Sequence, residues 1–261
     1  MEDETTVWGM IDTEPILFPL VVDDFNAATI IFPVPAAVAR TLVTGDAFEV
    51  VESAPGTAQL VVAAVEYRQG PWGPYNGLNV GPRVHPAGAP HQTPGAFLLP
   101  GPVNRRFSYE AAHRALGMPM SMGDIEVERT DDRVTFSVSQ DGERAVTLRF
   151  PRVRSDLRST PIDTVAYMTV DEVPFVVPIE FGMPTGLVDP GDLEVELGTG
   201  WLADVFRGLR LPCAPDVCLW GEGLSATFHM GQEVRSRGTR AVARLRAARA
   251  TARSGVESAE R

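Results

Sequence analysis

Along most of this chain the apolar positions recur at every second residue or fall in short β-branched runs, with turn residues between them. Residues 58–67 (AQLVVAAVEY) read as a strand, and a Gly/Pro-rich loop over 69–76 follows it. Residues 124–128, 133–139 and 145–150 form a series of three strands. Thr130-Asp131-Asp132 and Gln140-Asp141-Gly142-Glu143 separate them, so the pattern predicts a β-meander. Further strands are predicted over 164–170, 175–181, 193–197 and 224–230. Helical signals are fewer. Residues 36–42 follow Pro35, which suits a first helical turn. Ser108 suits the N-cap of a helix running to Leu116, with Glu110 in its first turn. Residues 201–209 (WLADVFRGL) place their apolar side chains on one helical face. The stretch 240–253 has helix propensity but almost no apolar face, which predicts a frayed helix or a disordered tail. The predicted class is mostly β (α+β), with one domain over 1–234 and an Arg/Ala-rich tail over 235–261.

Composition adds a chemical restriction. The chain has 261 residues, 44% apolar and 22% charged, enough for a substantial core in an ordinary globular protein. All 23 basic residues are arginine, and there is no lysine. A side-chain Schiff base and a phosphate-binding P-loop lysine are therefore both excluded. The net charge is -11, and eight of the arginines lie from Arg235 onward, so the preceding body is strongly acidic. Such a body repels nucleic acid and anionic membranes, and neither is expected as a partner. No apolar run of about 18 residues occurs, and the start, Met-Glu-Asp-Glu, has no secretory pattern. A cytoplasmic location is expected, with Cys213 and Cys218 as free thiols; their spacing, with no second pair of ligands nearby, is not a zinc signature.

The usual catalytic motifs do not occur. There is no Ser-His-Asp set, dinucleotide fingerprint or P-loop. His85 and His91 lie in a Pro/Gly-rich stretch, His113 in a predicted helix and His229 in a predicted strand, without metal-ligand spacing. No metal or other cofactor is expected. Met118, Met120 and Met122 alternate along a short stretch and would share a face if extended. Flexible thioethers suit either core packing or an irregular apolar ligand.

Four stretches in order resemble the acetoacetate decarboxylase family: residues 63–68 with 73–76, residues 99–120 (LPGPVNRRFSYEAAHRALGMPM), the strand pair over 124–150, and residues 195–209 with 224–234. Together they span about residues 20 to 234. The resemblance implies a closed, twisted β-barrel or cone with flanking helices and a buried pocket, assembled as a homo-oligomer. In that family a lysine in a Gly-aromatic-Pro-Lys motif forms an imine with a β-keto acid. Here the motif reads Gly117-Met118-Pro119-Met120, and a thioether forms no imine. The family's carboxylate after the Gly-x-Tyr-x loop is replaced by Gly77. Its arginine before the first helix is absent, Arg40 being the first basic residue. Decarboxylation by the family mechanism is therefore excluded.

The resemblance implies that Met118, Met120 and Met122 bind substrate, with Tyr75, Asn76 and Glu66 as candidate catalytic groups. Such a pocket suits a hydrophobic small molecule. The expected function is a non-covalent cyclase of polyketide-type biosynthesis, which folds its substrate for ring closure or a four-plus-two cycloaddition and polarises a carbonyl by a hydrogen bond. The alternatives are a non-catalytic protein that binds a hydrophobic small molecule, and a hydratase- or aldolase-type lyase using Glu66 and Tyr75.

Overall fold

The computed structural model describes residues 6–155 and 157–234. The Arg/Ala-rich tail over 235–261 lies outside them. Seven strands close into a ring: β1 (Leu20–Pro35), β2 (Thr57–Gln69), β3 (Tyr75–Pro86), β4 (Gly95–Phe97), β5 (Pro161–Val170), β6 (Val173–Gly182) and β7 (Val217–Phe228). The order around the barrel is β3-β4-β5-β6-β7-β1-β2, and β2 pairs with β3 to complete it. Only the β4–β5 contact in this ring is parallel. Gly95 makes that contact possible, because a Cβ there would stand 2.1 Å from the Val165 carbonyl oxygen.

The predicted meander forms a separate four-stranded antiparallel sheet. Its strands are Asp124–Arg129, Arg133–Gln140 and Glu143–Pro151, with Glu194–Leu197 added beside the third. Asp141 and Gly142, at φ 52 and 81, turn the second hairpin. Three α-helices flank the sheets: α1 (Ala36–Leu42), α2 (Arg106–Ala111), which runs into a π-helical turn over Ala112–Leu116, and α3 (Trp201–Gly208).

The barrel wall has two apolar faces. On β2, Ala58, Leu60, Val62 and Ala64 are fully buried against the four-stranded sheet, α1 and α3. The alternating residues Val61, Ala63, Val65 and Tyr67 turn inward and line a cavity. This is why the sequence of β2 is almost continuously apolar instead of alternating. Each large side chain buried on the outer face contributes roughly 1.5–3 kcal/mol. Phe136, Phe150 and Trp220 form its aromatic centre, with ring centroids 5.5 to 6.4 Å apart.

Several elements differ from the sequence expectation. β1, the longest strand, is not predicted, because Asp23, Asp24 and Asn26 interrupt its apolar run. Partners distant in sequence satisfy the buried Asn26: Nδ2 donates to Glu66 (2.7 Å), and Oδ1 accepts from the Gly223 amide (3.1 Å). The predicted loop over 69–76 ends at Tyr75, where β3 begins. The last barrel strand starts at Val217 and ends at Phe228, so His229 lies just beyond it and reaches Glu180 (3.0 Å). Both Cys213 and Cys218 are free. Among the described residues no helix is long and apolar enough to cross a membrane.

The packing of the outer core is testable. Phe136→Ala should lower the unfolding free energy by about 3–5 kcal/mol in urea titrations. Leu187→Ala, at a residue 67% exposed, should change it by less than about 0.5 kcal/mol.

Candidate functional site

The barrel interior encloses a cavity of about 320 Å³, within the usual size of a small-molecule site. Most of its wall is aliphatic. α2 and the π-helical turn lie along one end, contributing Ser108, Ala112 and Leu116. The turn stops at Gly117, whose φ of 69 reverses the chain into Met118 and Met120. Trp72, on the loop between β2 and β3, also lines this end. Gly73 follows it at φ +64, and a Cβ there would lie 2.0 Å from Arg105 Nη1. A side chain at residue 73 would therefore displace Arg105.

Three of the six sequence candidates meet here: Tyr75, Met118 and Met120 all line the cavity. The other three are placed elsewhere. Glu66 is one step from Val65 and Tyr67, so the pleat turns it to the outer face of β2. There it accepts from Asn26 and pairs with Arg129 Nε at 3.2 Å. Asn76 is likewise one step from Tyr75. Its Nδ2 donates to the Ile125 carbonyl (2.9 Å), joining the barrel to the four-stranded sheet. Met122 is 48% exposed and lies outside the lining, because the short strand Met120–Met122 runs out of the barrel.

The polar groups of the cavity were largely missed from the sequence. Tyr67 and Tyr75 face each other across β2 and β3 and stack at 4.3 Å between ring centroids. Tyr75 and Asn79 hydrogen-bond to the Tyr67 hydroxyl. Burial nevertheless raises the Tyr67 phenol to about 12. Tyr75 is also pushed well above the ordinary tyrosine value, by burial first and then by Tyr67, while Arg105 acts in the opposite direction. Both phenols are therefore neutral hydrogen-bond donors at physiological pH and poor bases.

Thr29, Trp72 and Ser108 also line the cavity, and Thr29 Oγ1, Trp72 Nε1 and Ser108 Oγ have no hydrogen-bond partner among the described residues. Ser108, expected as a helix cap, is instead 1% exposed within α2, and the cap residue is Arg105. Leaving such a group unpaired costs roughly 1–3 kcal/mol, which a ligand or water in the cavity would offset. The one signal for this set in the sequence is period two: Tyr67 stands on the same face as Val61, Ala63 and Val65.

Among the described residues the lining contains no carboxylate and no histidine. Gly77 stands in the wall, with no acidic side chain to offer. Among the described residues, no three His, Cys, Asp or Glu side chains come together to hold a metal ion.

The family model for acetoacetate decarboxylase matches residues 10–183. The chain belongs to the acetoacetate decarboxylase family. Solved structures agree on the fold. An acetoacetate decarboxylase from Legionella pneumophila superposes with a TM-score of 0.65 at 12% identity, covering 90% of this chain and 94% of that one. The enduracididine biosynthesis enzyme MppR gives 0.58 at 18% identity, over 83% and 88% of the two chains. An acetoacetate decarboxylase-like enzyme from Sphingomonas wittichii gives 0.53 at 16% identity, over 84% and 92%. No curated protein matches in sequence. As an acetoacetate decarboxylase family member without lysine, the chain has no side-chain amine for an imine.

The phenol pair has a consequence for pH stability. Above pH 10 the unfolded chain loses tyrosine protons while the folded chain keeps that of Tyr67 up to about 12. The folded state then binds more protons, so stability should fall as pH rises through this window. Urea midpoints measured at pH 9, 10 and 11 should decline less steeply in Tyr67→Phe than in the wild type. Position 120 can be tested separately. Met120→Lys, treated with acetone and borohydride, should gain one isopropyl group by intact mass beyond any adduct on the wild type. Failure to gain it would mean that position 120 does not present its side chain to the cavity.

Proposed function

We propose that this chain is a cofactor-independent enzyme that holds an apolar, carbonyl-bearing small molecule in the barrel and promotes its cyclisation without a covalent intermediate. Ring closure or a four-plus-two cycloaddition of a polyketide-type substrate fits this reading best. The supporting observation is the composition of the cavity: an aliphatic and thioether wall, several neutral hydrogen-bond donors, and, among the described residues, neither an amine nor a carboxylate.

Each step follows from this wall. The apolar surface strips water from the substrate and holds its reactive ends together, which lowers the entropic part of the barrier. Met118 and Met120 can adapt to a bent chain through their flexible thioethers. The neutral Tyr67 phenol would donate to the substrate carbonyl, withdrawing electron density as the new bond forms. Tyr75 and Asn79 would stabilise the charge that develops on the Tyr67 oxygen. In this reading Met120 stands where the family keeps its lysine. The chain would act in the cytoplasm as a homo-oligomer.

A lyase of the aldolase type is the second reading. MppR, which shares the fold, has been seen complexed with the condensation product of pyruvate and imidazole 4-carboxaldehyde. The absence of a carboxylate from the lining leaves this chain with no obvious general base, so cyclisation is preferred.

Extracts of the source organism with and without the gene decide between the readings. Loss of the gene should cause a linear precursor to accumulate, and the purified protein should convert that precursor. Tyr67→Phe should bind the precursor nearly as well but cyclise it about 10²-fold more slowly. If a ligand is retained in native mass spectra but no precursor accumulates, the protein binds without catalysing. If neither is seen, the cyclase reading fails.

A further inference from the structure

Arg83 is the one charged side chain among the described residues that line the cavity. It lies on β3, eight positions beyond Tyr75 and on the same face, roughly 26 Å away at the usual strand rise. Its neighbour across the β2–β3 pair is Gln59, whose Oε1 accepts from Arg83 Nη1 at 3.1 Å. Gln59 in turn donates to Asp216 Oδ2 at 3.4 Å, so this acid meets Gln59 and not the guanidinium. Among the described residues Arg83 has no ion-pair partner. A guanidinium carries five N–H donors, and one bond to a neutral amide leaves most of them free.

The two ends of the cavity therefore differ. The end at Tyr67, Tyr75, Trp72 and Ser108 presents neutral donors suited to a carbonyl. The middle, with Ile31, Val61 and Ala63, is largely aliphatic. The Arg83 end presents a cation. The Arg83 guanidinium lies in a largely aliphatic wall with no ion-pair partner among the described residues, and its fork matches a carboxylate in two parallel hydrogen bonds.

We propose that the ligand of this cavity is an elongated apolar acid, its carboxylate held by Arg83 and its chain running along the barrel toward the Tyr67–Tyr75 pair. The inference rests on reading the cavity as the binding site. It assigns the substrate class, a carboxylic acid with an extended hydrocarbon body, and makes Arg83 its specificity-determining residue. The carbonyl polarised at the tyrosine end would then be a second functional group, remote from the acid along the same chain. The reaction that supplies such a substrate must release a free acid, as hydrolysis of a thioester or ester does.

Calorimetric titration of the full chain near neutral pH, with decanoate and decan-1-ol as probes, tests this. Decanoate should bind at least about ten-fold more tightly than the alcohol. Arg83→Met keeps the aliphatic stem and should remove that preference while leaving decanol affinity unchanged. The retained decanol binding also shows that the variant folds. Arg83→Lys should restore part of the preference. Equal binding of the two probes by the wild type, or an undiminished preference in Arg83→Met, would overturn the anion site alone. Binding of neither probe would remove the cavity reading, and this inference with it.

Discussion

The whole arrangement depends on the pairing of β2 with two strands at once. Thr57–Gln69 bonds to Leu20–Pro35 on one edge and to Tyr75–Pro86 on the other, and the second pairing closes the ring. Closure removes sheet edges and separates the two faces of the wall. The outer face is covered by a second sheet and two helices, and the inner face surrounds a cavity. A strand in this position must be apolar on both sides, so it is rich in alanine and valine. The small residues matter as much as the apolar character. Ala63 and Gly77 leave space inside the barrel that larger side chains would fill.

Closure also sorts the charges. Glu66, Arg129, Arg152 and Glu222 cluster on the outside of the wall, where carboxylate and guanidinium satisfy each other. Arg152 binds Glu222 through Nε at 2.6 Å and Nη2 at 2.8 Å, and holds its carboxyl near 2, with Trp220 Nε1 adding a further bond. These acids stabilise the junction between the barrel and the four-stranded sheet. Among the described residues the inside has phenols, hydroxyls, an amide, an indole and one guanidinium. A site that donates hydrogen bonds but accepts few protons suits polarisation of a carbonyl better than proton abstraction. The chain has no lysine to supply a side-chain amine, yet it keeps the barrel fold of its family.

Local pattern explains the parts that were legible in advance. The meander was readable because its first two strands alternate on one buried face and because Asp141-Gly142 marks the hairpin. The single-faced helix Trp201–Gly208 was readable for the same reason. β1 was hidden because Asn26, buried in its middle, is satisfied by Glu66 and Gly223, far away in sequence. The helix carrying Ser108 was located, but the role of Ser108 was not. A serine near a helix start reads as a cap, and only the packing of α2 against the barrel turns its hydroxyl inward.

The sequence by itself determined the chemistry that is impossible. Without lysine there is no side-chain imine, whatever the fold. It also determined the class of fold and the position of Met118, Met120 and Tyr75 in a family-like order. Which polar groups act together was decided by the tertiary structure. Glu66 and Tyr67 are adjacent in the chain, as are Tyr75 and Asn76, but the pleat sends each pair to opposite sides of the wall. Tyr67, Tyr75, Ser108 and Arg83 share one cavity because strand register and ring closure bring them there. Register is a long-range property, and a one-residue slip would exchange every inward side chain for its outward neighbour.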